Sequence, residues 1–133
     1  MERLTFRLTP GADLLVGIRK KVEEQRIEAG YMMTCVGSVS QAVIRFADQE
    51  HEEELPGPFE ILSLSGTVSI HGSHLHVGLA DSSGKAVGGH LMEGCRVYTT
   101  AEIVLGVDSG RIYRRELCPD SGYHELVVEN RPS

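Results

Sequence analysis

Ser73-His74-Leu75-His76-Val77-Gly78-Leu79-Ala80-Asp81, the polar turn Ser82-Ser83-Gly84, and Lys85-Ala86-Val87-Gly88-Gly89-His90-Leu91 make up the most informative segment of this 133-residue chain. Three of the six histidines lie in it. Side chains alternate across a strand, so His74 and His76 point to the same face. Ser82-Ser83-Gly84 predicts a three-residue hairpin loop with Gly84 in the left-handed position. That loop pairs Asp81 with Lys85, which sets His90 directly opposite His76 and diagonal to His74. Directly opposed Cβ atoms lie roughly 5 Å apart and diagonal ones roughly 7–8 Å. The three imidazoles share their face with Gly78, Ala80, Ala86 and Gly88, which leave space beside them. Leu75, Val77, Leu79, Val87 and Leu91 take the opposite, core-like face. A loop one residue shorter or longer would turn His90 to the wrong side.

Three converging imidazoles suit a borderline divalent cation, zinc (Zn2+) first, with a fourth position open to water. The alternative is a set of polar rings lining a solvated strand face or a subunit contact. Convergence favours the metal, because a shared focus is what ligands need and surface residues do not.

Neighbouring strands supply candidate supports. Upstream, Phe59 to Ile70 alternates as a strand, with Leu62, Leu64, Val68 and Ile70 on one face and Ser63, Ser65, Thr67 and Ser69 on the other. A two-residue turn at His71-Gly72 places Ser69 opposite His74 and Thr67 opposite His76, where hydroxyls would orient ligand rings. Downstream, Met92-Glu93-Gly94-Cys95 turns the chain into a strand from Arg96 to Val107. Val97, Thr99, Ala101, Ile103 and Leu105 lie on one side of it. A continued register puts Tyr98 beside His90, with Thr100 next along and Glu102 farther off. Thr67, Ser69, Tyr98 and Thr100 are thus the candidate supporting residues. Glu102 is the candidate base for a metal-bound water, its alternative being a surface ion pair.

Elsewhere, Leu4 to Leu8 predicts a short strand, and Thr9-Pro10-Gly11 opens a helix from Ala12 to Ala29. Leu14, Leu15, Ile18, Val22 and Ile27 form its apolar side, and Gly30 is placed to stop it. Its basic residues Arg19, Lys20, Lys21 and Arg26 are interleaved with Glu23, Glu24 and Glu28, as on a solvated surface. Tyr31 to Ala47 reads as two strands, or one bent strand with a bulge at Gly37-Ser38. Asp48 to Glu54 is an acidic loop holding His51, closed by Leu55-Pro56-Gly57-Pro58. Arg111 to Leu117 predicts a strand carrying a basic patch of Arg111, Arg114 and Arg115. After a loop at Pro119 to Gly122, His124 to Val128 is the last strand and Glu129 to Ser133 a polar tail. No linker or repeat divides residues 1–133, so the expectation is a single α+β domain: a mostly antiparallel sheet covered by one main helix.

Net charge is −6 and the pI near 5.5. A surface of that sign repels nucleic acid phosphates unless a local basic patch overrides it. Cys35, Cys95 and Cys118 are odd in number and at no metal-ligand spacing, so they read as reduced thiols. No apolar run reaches membrane-spanning length and the first residues do not form a secretion signal, which makes the cytoplasm the default location.

Phe59-Glu60-Ile61-Leu62-Ser63-Leu64-Ser65-Gly66, His74-Leu75-His76, Gly88-Gly89-His90-Leu91 and Thr100-Ala101-Glu102-Ile103-Val104-Leu105 together resemble the plants-and-prokaryotes-conserved domain, also called PPC or PCC. Val36-Gly37-Ser38-Val39-Ser40 resembles it too. The resemblance covers nearly the whole chain and is to the stand-alone prokaryotic type. It implies an α/β fold built on an antiparallel sheet and assembled as a homotrimer. In plants the domain follows AT-hook DNA-binding motifs in nuclear proteins, where it serves localisation and protein contact. Its histidine triplet falls on His74, His76 and His90, and a metal there is what the resemblance implies for some prokaryotic members. An Arg-Gly-Arg-Pro hook is missing from this sequence, and Asn130-Arg131-Pro132 lacks the basic flanks that would give minor-groove affinity.

Three functions are compatible with these residues. The first is a trimeric metal-binding domain, with hydrolytic, lyase or isomerase chemistry on a small anionic molecule among its options. The second is a DNA-binding or transcription-associated regulator, which the acidic charge and the missing hook disfavour. The third is a pure trimeric interaction module. The sequence contains no nucleophile elbow, phosphate loop or dinucleotide fingerprint to narrow the chemistry.

Overall fold

Residues 2–132, which the computed structural model describes, form one helix and eight strands. Met1 and Ser133, the two ends of the expected domain, lie outside the described residues. The strands are β1 (Glu2–Leu8), β2 (Gly30–Arg45), β3 (Glu53–Val68), β4 (His74–Ala80), β5 (Ala86–Leu91), β6 (Arg96–Val107), β7 (Arg111–Leu117) and β8 (His124–Asn130), and the helix is α1 (Leu14–Glu24). Six strands make one sheet in the order β1-β6-β2-β3-β4-β5, and β7 and β8 pair separately as a hairpin. Every pairing between these strands is antiparallel. The α+β expectation therefore holds, with two sheets in place of the expected one.

α1 is capped by Asp13, whose carboxylate accepts a hydrogen bond from the Val16 amide at 3.0 Å. Its other oxygen accepts from the Gly94 amide at 2.7 Å, which ties the helix start to the turn before β6. Leu14, Leu15, Ile18 and Val22 form the apolar stripe and are buried. The helix is shorter than the predicted Ala12–Ala29. Arg26 takes a left-handed φ of 50°, and the Ile27 amide donates back to the Val22 carbonyl at 3.0 Å. That bond closes the helix without a glycine. Ile27 stays buried outside the helix, and Gly30 starts β2 instead of stopping α1.

β2 is the bent single strand, with register shifts against β6 and β3 along its length. The bending lets one strand pair with three others. It lies between β6 and β3, and its last residues also pair with β5, Ile44 with Leu91 and Arg45 with His90. β2, β3, β4 and β5 thus close on themselves around a core that includes Ile44, Val68, Leu75, Leu79 and Leu91. β3 starts at Glu53, earlier than predicted. Pro56 and Pro58 lie before its pairing with β4 begins at Glu60, so the proline rings meet a free edge on that side and cost the β4 ladder nothing. A register shift between Ile61 and Ser63 turns Leu62 outward, 61 % exposed, and gives its expected core place to Ile61.

β8 continues through Glu129 to Asn130, so the expected polar tail is partly strand. The β7–β8 hairpin is docked on the body by Tyr113, whose amide donates to the Glu28 carbonyl at 2.8 Å. The Tyr113 carbonyl accepts from buried Ser69 at 2.9 Å. Cys35, Cys95 and Cys118 are all free thiols, the first two buried.

Gly66 has a φ of 135°, and a Cβ there would run into the His74 carbonyl oxygen of β4. Gly66→Ala should therefore destabilise the protein by about 2–4 kcal/mol, read as a lower urea midpoint at unchanged m-value.

Candidate metal centre

The histidine face is set by the β4–β5 turn. The Asp81 amide donates to the Lys85 carbonyl and the Gly84 amide to the Asp81 carbonyl, both at 2.9 Å, with Gly84 at φ 84°. The Asp81 carboxylate accepts from the Ser83 amide, the Ser83 hydroxyl and the Lys85 amide at 2.9, 2.7 and 2.9 Å. Those bonds hold its carboxyl below the usual range. The turn registers His76 against His90, while Leu75, Val77, Leu79 and Leu91 enter the core behind them.

The ring centroids of His74, His76 and His90 lie 4.9, 5.0 and 5.6 Å apart. One nitrogen from each ring falls within 4.8 Å of the others. The Nε2 atoms of His74 and His76 are 3.2 Å apart. A tetrahedral ion with metal–nitrogen bonds of about 2.0–2.1 Å places its ligand nitrogens about 3.3 Å from one another. The first pair is thus already at ligand spacing. Neutral rings are the binding form, and the surroundings of His90 and His74 favour it. Burial pushes His90 down to about 4, with Arg45, His74 and His76 adding repulsion. His74 is lowered too, first by burial, then by His76 and Arg115.

The rings open into a cavity of about 760 Å³. Arg45 and Asp48, from the end of β2 and the loop after it, form one wall, and Arg115, Tyr123, His124 and Glu125 of the β7–β8 hairpin form another. None of these wall residues was a candidate for the metal site in the sequence; Arg115 was expected only in a basic patch. Arg45 could have been found only from the β2–β5 pairing, and Arg115 only from the docking of the hairpin.

The supporting residues are placed differently from the expectation. The chain between β3 and β4 is longer than a two-residue turn, so Thr67 pairs with His74 and Ser65 with His76. Thr67 accepts a hydrogen bond from Arg115 Nη2 at 2.8 Å and so holds an arginine, not an imidazole. Ser69 is buried under β7. Tyr98 and Thr100 are not beside His90, because β5 and β6 follow one another along the same edge of β2 and do not pair. Arg45 of β2 meets His90, whereas Val39 meets Val97. Six strand positions, about 20 Å, separate the two places. Glu102, opposite Val36, is farther still. It stands across from Arg7 on β1 and accepts from the Thr100 hydroxyl, which itself accepts from Arg7 Nε. The expected basic patch is divided as well: Arg114 pairs with Glu129 while Arg115 turns to the cavity.

Residues 1–108 match the Plants and Prokaryotes Conserved (PCC) domain family, so β7 and β8 fall outside the matched segment. The bifunctional protein GlmU of Synechococcus sp. (strain JA-3-3Ab) is 44 % identical over 124 residues, 93 % of this chain. The chain spans about a fifth of the length of that relative. A hypothetical protein of Salmonella cholerae-suis (Salmonella enterica) has a solved structure that superposes with a TM-score of 0.97 at 36 % identity, covering 98 % of this chain and 95 % of the other. A metal-containing protein from Archaeoglobus fulgidus superposes with a TM-score of 0.82 at 34 % identity, covering 96 % and 94 %.

In metal-free protein, an NMR titration of the His90 ring should show a midpoint near 4. Arg45→Gln removes a repelling cation and should raise that midpoint, while burial, the larger cause, keeps it below the ordinary value of 6.5.

Proposed function

The chain belongs to the Plants and Prokaryotes Conserved domain family, and we propose that it is a divalent-metal-binding member with zinc as the preferred ion. The observation that carries this reading is the convergence of His74, His76 and His90, with two ligand nitrogens 3.2 Å apart. Three neutral nitrogen donors on a tightly registered hairpin suit a small borderline cation and leave a coordination position for an outside ligand. The metal-containing relative at 34 % identity supports the same reading.

When bound, the ion would supply a Lewis acid facing the cavity. The chain's own part is to hold three rings aligned, and to keep Leu75, Val77 and Leu79 packed behind them. Metal-dependent chemistry on a small anionic molecule is the activity this arrangement fits. Duplex DNA fits it less well. Several arginines that a phosphate backbone would need are engaged by carboxylates: Arg19 by Glu93, Arg114 by Glu129 and Arg131 by Glu28.

Self-assembly as a homotrimer is part of the proposal. Val36, Leu62 and Tyr98, on the adjacent strands β2, β3 and β6, are 58, 61 and 53 % exposed and border one apolar groove. A second and third copy of the chain would remove this surface from water.

Metal analysis of protein purified without a tag or added metal should find about one ion per chain, mostly lost in His76→Ala, because removing one of three protein ligands cripples the site. Equal metal in both proteins would sink the reading. Analytical ultracentrifugation should give a trimer mass for wild type. Leu62→Arg should shift it toward the monomer, since it puts a charge on the groove that assembly would bury.

A further inference from the structure

Two guanidinium groups flank the three imidazoles, and neither has a carboxylate partner among the described residues. Arg45 is half-buried at the end of β2 and pairs in register with His90. Its side chain makes neither a hydrogen bond nor an ion pair among the described residues, unlike Arg19, Arg114 and Arg131. Arg115 comes from the opposite wall. Its Nη2 donates to Thr67 at 2.8 Å, and its stem crosses Gly72, where an added Cβ would lie 2.9 Å from Arg115 Cγ. Gly72 thereby makes room for the arginine, and the other donors of its fork remain unpaired among the described residues.

Both cations line the same cavity as His74, His76 and His90. Asp48 lies on the wall with Arg45, and Glu125 on the wall with Arg115. With a divalent ion in place, these two acids offset the two arginines, and the cavity keeps the positive charge of the ion. Arginine forks left without an acid at a partly desolvated site match the geometry of a planar or tetrahedral oxyanion.

We infer that Arg45 and Arg115 form a clamp for a small oxyanion, a carboxylate or phosphoryl group, which they hold against the open position of the ion on His74, His76 and His90. This rests on the metal-binding reading and adds to it the class of ligand and the residues that select it. Arg45 comes from the closed sheet and Arg115 from the docked hairpin. Binding therefore depends on how the hairpin sits, and the hairpin becomes the part of the molecule that sets specificity.

The test uses full-length protein loaded with cobalt(II), whose visible absorption reports ligands at the ion. Two probes are titrated, methylphosphonate for phosphoryl groups and acetate for carboxylates. At least one should bind, and the tighter of the two names the favoured group. Arg45→Gln and Arg115→Gln should each weaken it about 10- to 100-fold, the loss of a charge-assisted partner, with cobalt content unchanged. Arg45→Lys keeps the charge but not the fork and should fall between, which secures the test if Arg45→Gln folds poorly. Arg19→Gln, whose guanidinium is already paired with Glu93 and does not line this cavity, should bind as wild type. Unchanged affinity in the clamp variants, or no binding of either probe by cobalt-loaded wild type, overturns the clamp and leaves the metal reading standing. A wild type that takes up no cobalt overturns both.

Discussion

The hydrogen bonds gathered on Asp81 hold the histidine face of this protein in register. A strand's side chains alternate, so a slip of one residue between β4 and β5 would send His90 into the core and a leucine or valine into solvent. Three bonds to one carboxylate, with two backbone bonds and a glycine at positive φ, leave a single turn geometry. The cost of a slip is counted twice, once in buried apolar side chains and once in lost imidazole convergence. Core packing and ligand geometry therefore select the same register.

A second constraint is the length and curvature of β2. A flat strand of 16 residues would have two neighbours. Because β2 bends at its register shifts, its end reaches β5 and closes the β2-β3-β4-β5 ring. That closure puts a guanidinium directly opposite an imidazole. For a protonated ring this is an unfavourable neighbour, and it adds to burial, the larger cause of the lowered His90. Stability alone would not ask for a cation there. The arrangement accords with the proposed site, in which a bound oxyanion would offset the charge of the arginine.

The β7–β8 hairpin is attached by few bonds and bears exposed apolar residues, Leu117, Tyr123, Leu126 and Val128. Its anchoring through the backbone of Tyr113 and the buried Ser69 hydroxyl fixes one end, and the Arg115–Thr67 bond fixes the cavity side. Segments held this way are the natural places for ligand specificity to vary while the sheet stays constant.

The histidine hairpin was legible in the chain because its determinants are local. Turn residues, alternation and the spacing of His74, His76 and His90 all act within twenty residues, and so does the Asp81–Lys85 pairing. The α+β class and the long β6 were legible for the same reason, while β2 read as two strands or one bent one: periodicity is a local signal. What the chain did not disclose were the relations made over long distances. Ser69, Tyr98, Thr100 and Glu102 were placed by extending a regular register, and two irregularities undid that extension: a longer connection before β4 and an end-to-end arrangement of β5 and β6 along β2. The walls of the cavity, Arg45 and Arg115, were decided only when the sheet closed and the hairpin docked. Those events depend on backbone bonds between residues dozens of positions apart, which leave no pattern in neighbouring side chains.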